Sequence, residues 1–256
     1  MLGLLGNESL GLKDLSQTIA SDAVFAAEVL RMANSAQFAA GPSTSSILRA
    51  VALLGLDRIR GLAWTVALRG YLAPILAVPN LRRCWRHSLA CAVVAEKLSA
   101  LSFESAGRSY TCGLMHDIGR IALVASYPRE YTELIRLADE SPLDLCAAER
   151  ERFHIDHCEA GRQLVAEWNL PKEFQEVTAH HHDVDLNLEK LDLLALVALS
   201  CRLADGIGFY VSPPPANLGI EELLAPLPRA ERDSLLSDWG RFELHIMERI
   251  LFLDPL

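Results

Sequence analysis

Apolar residues recur at three- and four-residue spacing through segments 14–33, 45–56, 57–73, 81–100, 111–125, 129–139, 143–153, 156–168, 171–181, 189–209 and 229–252. Sustained apolar/polar alternation bounded by turn residues, the mark of strands, is absent from the sequence. The pattern predicts an all-α protein. Asp14 and Ser45 stand where helix N-caps are wanted, and Pro171 stands where a helix begins after a break at Asn169-Leu170. The Asn34-Ser35 pair is expected to end a helix and satisfy local backbone groups.

Two irregular stretches divide the chain. Prolines flank a short apolar piece in LAPILAVPN at 72–80, and VSPPPANLG at 211–219 carries three consecutive prolines. We therefore expect an N-terminal helical subdomain at 1–78, a central subdomain at 79–210 and a C-terminal helical appendage at 211–256. No repeat of solenoid period and no long charge run is present in the sequence.

A chain of 256 residues that is 51% hydrophobic is long enough to bury a large core. Its longest apolar runs, such as LDLLALVALSCRLADGIGF, are broken by charge short of the roughly 18 residues of a membrane span. The opening MLGLLGNESL lacks the positive region and cleavage site of a secretory signal, so a cytoplasmic protein with no membrane association is expected. Cysteines 84, 91, 112, 146, 158 and 201 occur singly, with no CxxC pair, and read as reduced core thiols. A net charge of -9 argues against polymeric nucleic acid as a partner, although Arg82, Arg83 and Arg86 form a local basic patch. Trp64, Trp85, Trp168 and Trp239 are expected as core or interface anchors, His154 and His245 as surface or structural residues, and the face around LLGLDRIRGLAW as a place for a partner.

Candidate chemistry centres on His116-Asp117, set in the apolar run TCGLMHDIGRIALVA. His87, His157, His181, His182 and Asp205 lie in separate segments that a helical fold can bring to the same point. Mixed imidazole and carboxylate donors favour a divalent transition metal, Fe, Mn, Zn or Ni, as one or two ions. On one continuous helix His116 and Asp117 would point about 100° apart, so a shared metal would sit over the helix edge. Arg120, four residues after His116, would share its face and hold a phosphate oxygen. Each piece also has a plainer reading. His87 alone is more often a satisfied histidine than a ligand, Asp205 can cap the turn at Gly206 and Gly208, and His180 leaves open which adjacent histidine pair faces inward.

The order His87, His116-Asp117, Asp205 resembles the H…HD…D signature of HD-domain metal-dependent phosphohydrolases. The stretch AAEVLRMANSAQFAAGPSTSSILRAVALLGLDRIRGLAW, about 26–64, is similar to the N-terminal helical part of the HDOD family. The run HIDHCEAGRQLVAEWNLPKEFQEVTAHHHD, 154–183, is similar to that family's H-x-x-x-G…W-x-L-P…HH segment. Together these cover roughly residues 14 to 210.

The resemblance implies an HD-type helical bundle with an N-terminal helical subdomain, and it carries over His87, His116, Asp117, His157, His181, His182 and Asp205 as metal ligands. Similarity to the HD-GYP phosphodiesterases, which cleave cyclic di-GMP at a two- or three-metal centre, places Arg120 at the position of their phosphate-holding lysine and makes Asp117 and Arg120 the catalytic candidates. The chain departs from that group where Arg83 replaces an acidic ligand and where HHDVDLNLEKL replaces the glycine-rich loop after the histidine pair. Two functions follow from the resemblance. One is a signalling output or scaffold module that binds a protein partner or a small phosphorylated ligand. The other is a metal-dependent phosphohydrolase acting on a nucleotide or cyclic dinucleotide, with Arg120 and Arg83 neutralising phosphoryl charge.

Overall fold

The computed structural model describes residues 12–35, 43–183, 191–214 and 219–254. Among these residues every regular element is a helix, and none of them is long and apolar enough to cross a membrane. The chain falls into two units, Met1–Tyr71 and Leu72–Leu256.

The first unit contains α1 (Leu12–Ala20), α2 (Ala23–Ala33), α3 (Ile47–Leu54) and most of α4 (Leu56–Leu76). The single helix expected over 14–33 is two, because the Asp22 carboxylate accepts from the backbone N–H groups of Val24 and Phe25 at 3.1 and 3.0 Å and starts a new helix. Asp14 lies inside the first turn of α1 instead of capping it, and Ser46, not Ser45, caps α3 by accepting from Arg49. Asn34 clips the following loop in both directions, donating to the Thr44 carbonyl at 2.9 Å and accepting from the Thr44 N–H at 2.7 Å. The Phe38 of the family-like NSA-x-F run lies outside the described residues. Ile19, Phe25, Val29, Val51 and Leu54 are buried where α1, α2 and α3 meet, each worth about 1.5–3 kcal/mol of burial.

Pro74 does not break α4, which continues to Leu76; Pro79 opens the next helix at a position whose N–H would be unpaired anyway. That helix, α5 (Pro79–Leu98), is buried almost all round, and α6 (Ala106–Met115), α8 (Pro128–Glu140), α12 (Leu193–Gly206) and α15 (Trp239–Leu253) pack against it. Its contact with α6 is close at Gly113, where a Cβ would come within 2.9 Å of the Cys91 carbonyl oxygen. Between them lie α7 (Ile118–Ser126), α9 (Leu145–Phe153), α10 (His157–Glu167) and α11 (Lys172–His180); α13 (Ile220–Leu224) and α14 (Arg229–Ser237) precede α15. The helix expected over 229–252 is divided at Asp238, whose backbone leaves the helical region at φ -117° and ψ 16°.

Three chain reversals set up the centre of this unit. The helix expected over 111–125 is interrupted at His116-Asp117: His116 ends α6 and Asp117, at φ -100° and ψ 22°, precedes α7. His154 at φ 61° ends α9 in the left-handed region and turns the chain toward α10. Asn169 at φ 52° does the same after α10, ahead of Pro171. All six cysteines are free, but only Cys84, Cys91, Cys112 and Cys201 are core residues; Cys146 and Cys158 are half-buried. Of the tryptophans, Trp85 is in the core whereas Trp168 is 42% exposed.

Candidate metal centre

Four histidines from four helical elements turn their Nε2 atoms toward one region because something holds each ring from behind. His87 Nδ1, on α5, is 2.8 Å from the Phe209 carbonyl, and His116 Nδ1 is 2.7 Å from the Gly113 carbonyl. His181 Nδ1 is 3.1 Å from the Val177 carbonyl, and His157 Nδ1 is 2.6 Å from Glu149 Oε2. With the proton on Nδ1 donating outward, each ring presents an Nε2 lone pair inward, which is how metal-ligating imidazoles are oriented.

Asp117 stands between them. Its Oδ1 lies 3.4 Å from both His157 Nε2 and His181 Nε2, and its Oδ2 lies 3.9 Å from both His87 Nε2 and His116 Nε2. His182 Nε2 is 3.0 Å from His157 Nε2, and His87 Nε2 is 3.3 Å from His116 Nε2. Metal bonds of about 2.0–2.2 Å place tetrahedral ligand atoms roughly 3.3–3.6 Å apart, so these separations suit a common ion. Asp117 Oδ1 and His181 Nε2 are buried and make no hydrogen bond, a costly condition that a cation between them removes. The donor set therefore fits a divalent transition metal. One group comprises Asp117, His157, His181 and His182, and a second comprises His87, His116 and Cys201.

The broken helix changes the role of Arg120. It does not share a face with His116 as one continuous helix would require; its guanidinium turns back onto Asp117, with Nε 2.7 Å from Oδ2. Nη1 donates to Tyr131 at 3.0 Å and Glu149 at 3.3 Å, and Nη2 approaches His157 Nε2 at 2.9 Å. Arg120 is thus a buried internal cation. Burial opposes ionisation of Asp117, but Arg120 and the surrounding histidines together outweigh it and hold the carboxyl well below the usual range. Burial likewise opposes the Glu149 carboxylate, yet His157 and Arg120 bring it down to about 2. Burial pushes His116 well below its ordinary value. For His157, burial and Arg120 favour the neutral ring while Glu149 and Asp117 favour the charged one. The carboxylates prevail and raise the ring to about 9, so an ion bound at its Nε2 displaces a proton.

The remaining candidates sit at the edge. Asp205, one-third exposed, lies 3.3 Å from the outer nitrogen of His87, behind the ring, while Cys201 Sγ reaches His87 Nε2 at 3.5 Å. His180 is exposed and pairs with Asp183 at 3.3 Å, whereas buried His181 and the more exposed His182 turn their rings toward His157. Arg83 is engaged with Asp139 through both terminal nitrogens at 2.8–3.0 Å. Glu149, Tyr131, Cys201, Cys146 and Cys158 were not legible as site residues, because no motif or spacing marks them. Cys146 Sγ lies within 4.8 Å of Cys158 Sγ and 4.0 Å from His157 Nδ1.

The HDOD domain family model matches residues 1–184, which includes every histidine of this cluster and Asp117. The chain belongs to the HDOD family. Solved structures show the same fold. An HDOD domain protein of unknown function from Geobacter sulfurreducens aligns with a TM-score of 0.79 at 22% identity, over 100% of this chain and 90% of that one. A candidate signal transduction protein from Marinobacter aquaeolei VT8 aligns at 0.73 and 21% identity, over 98% and 57%. A candidate phosphohydrolase from Shewanella amazonensis SB2B aligns at 0.69 and 21% identity, over 98% and 89%. An uncharacterized protein of Treponema pallidum (strain Nichols) is 23% identical over 206 residues, 78% of this HDOD chain, which spans only 40% of that relative's length.

Proposed function

We propose that this HDOD protein is a signal-transduction output or scaffold module whose second unit is organised around a divalent transition metal, Fe, Mn, Zn or Ni. The observation that carries the reading is the unpartnered pair Asp117 Oδ1 and His181 Nε2, with His157 Nε2 beside them, each ring held from behind. His116-Asp117, His157 and His181-His182 come from separate elements, so an ion they share ties α6, α7, α10 and α11 together, and its binding free energy becomes folding free energy. Arg120 favours this role over turnover. Its N–H groups are engaged by Asp117, Tyr131 and Glu149, not presented to a phosphoryl group. The partner is a signalling protein or a small phosphorylated ligand.

A second reading, a metal-dependent phosphohydrolase acting on a nucleotide or cyclic dinucleotide, is favoured by the two faces of Asp117. One oxygen is turned to His157 and His181 and the other to His87 and His116, the arrangement of a carboxylate shared by two ions. Bound ions would acidify water and polarise a phosphoester. In that reading Asp117 fixes the spacing of the two poles, and Asp205 orients His87.

Metal analysis and thermal melts separate the readings. A metal at a hundredfold excess over its Kd stabilises by about 2.7 kcal/mol, which raises Tm by about 5–10 °C. With Mn2+, which thiolate ligands do not favour, we expect that rise in the native chain and its loss in Asp117→Asn and His181→Ala. Bound metal without hydrolysis of phosphodiesters or nucleotides supports the module; hydrolysis lost in Asp117→Asn supports the enzyme. Neither uptake nor a Tm rise with any of the four metals overturns both.

A further inference from the structure

On the outer side of His157 the fold builds a different donor set. Asp144 caps α9, accepting from Ala147 at 3.1 Å, and Asp156 caps α10, accepting from Glu159 at 2.8 Å. Cys146 and Cys158 each occupy the second position of the helix so capped, and the left-handed turn at His154 folds those two first turns together. Cys146 Sγ lies 4.0 Å from His157 Nδ1, the nitrogen that Glu149 Oε2 holds at 2.6 Å, so an ion bound there takes the place of that proton; the two sulfurs lie within 4.8 Å of each other. His182, exposed, completes the group, and one ligand atom from each of Cys146, His157, Cys158 and His182 lies within 4.8 Å of every other.

We infer that Cys146, Cys158, His157 and His182 form a second metal site, for Zn2+ bound by two sulfurs and two nitrogens. Sulfur selects against the harder cations that an oxygen-bearing set tolerates, and two thiolates with two imidazoles suit a closed tetrahedral zinc site. Zn–S and Zn–N bonds of about 2.3 and 2.0–2.1 Å require ligand atoms roughly 3.3–3.8 Å apart, so the group needs to contract by no more than about 1.5 Å. Two half-buried thiols and an exposed imidazole give an ion a route in from solvent. His157 and His182 also belong to the Asp117 group, so the two sites exclude one another. That exclusivity rests on the Asp117 centre proposed above; the thiolate site itself does not. An ion held by nitrogen and oxygen sits against Asp117 on the inner side, and zinc held partly by sulfur sits against the cysteines on the outer side.

Cobalt substitution of the reduced full-length chain tests this, because Co2+ replaces Zn2+ and thiolate ligands add a near-ultraviolet charge-transfer band. We expect the band in the native chain, in Asp117→Asn and in Cys201→Ser, and its loss in Cys146→Ser/Cys158→Ser together with a fall in Zn2+ affinity of at least about a hundredfold. Serine is close to isosteric with cysteine at half-buried positions, and an unchanged helical circular dichroism spectrum checks that the double variant is folded. Absence of the band in the native chain overturns the inference, as does a band that survives the double variant or disappears in Cys201→Ser. A failed Asp117 centre reads differently: Mn2+ then leaves the native Tm unchanged while the cobalt band remains.

Discussion

Replacing Gly119 by alanine should open the centre from behind. A Cβ on Gly119 would stand 2.0 Å from the His157 carbonyl oxygen, 2.3 Å from the Gly161 nitrogen and 2.9 Å from the Gly161 Cα. All three are backbone atoms, so no side chain can swing away. Carbon needs at least about 3.4 Å here, which forces α7 and α10 apart by more than about 1 Å. Asp117 directly precedes α7 and His157 opens α10, so the same movement stretches the 3.4 Å Asp117–His157 and 2.9 Å Arg120–His157 contacts. Overpacking costs about 1–3 kcal/mol, and loosening the buried Arg120 network adds a comparable amount. The better helix propensity of alanine returns only about 1 kcal/mol. The net is about 3 kcal/mol, or a Tm fall of about 6–12 °C. Gly161→Ala is the control. Its Cβ would meet Gly119 N and Thr178 Cβ at 3.3 Å, a shift of a few tenths of an ångström, so its fall should stay under about 4 °C. Melts followed by circular dichroism in chelator measure both without metal. A Gly119→Ala protein melting within about 2 °C of the native chain, or no lower than Gly161→Ala, would refute the reasoning.

Glu149→Gln should cost about 3 kcal/mol in chelator, because a buried amide no longer balances Arg120 beside it; a Tm change under about 2 °C would refute this. Since folding brings the Glu149 carboxyl down to about 2 from 4.5, its contribution is present above about pH 4.5 and is lost as pH falls through about 2; acid titration of native and variant chains should converge in that window. Asp254, 1% exposed, accepts from Arg82 Nε at 2.9 Å and Arg86 Nε at 3.0 Å and ties the end of α15 to α5, so Asp254→Asn should lower Tm by about 3–9 °C. His245, half-buried on α15, has its pKa lowered to about 4, by burial first and then by Lys97 and Arg249 against the opposing Glu96. The neutral ring is the folded form, so stability is full above about pH 6.5 and falls as pH drops toward 4; after solvent screening the loss is about 1 kcal/mol, and His245→Gln should remove that part of the slope in melts between pH 7 and pH 4.5.

Spacing alone revealed the helical class and most helix positions, because the side of a helix that must be buried repeats every three to four residues. Residue type, together with the family resemblance, marked His87, His116, Asp117, His157, His181, His182 and Asp205, since imidazole and carboxylate are the groups that ligate metals. Helix breaks were less legible. Residues 116–117 and 238 carry no proline or glycine, and the pattern runs through them; tertiary packing turns the chain there. The break at Asp117 has the largest consequence, because it directs Arg120 onto Asp117, Glu149 and His157 and makes a surface cation an internal one. Which histidine of 180–182 stays outside, that Asp205 stands behind His87, and that Cys146 meets Cys158 across a left-handed turn are likewise facts of three-dimensional approach. Local sequence encodes which faces are apolar and which groups can bind or ionise. Distances between groups far apart in the chain are set only when whole helices pack, and those distances decide what the groups can hold.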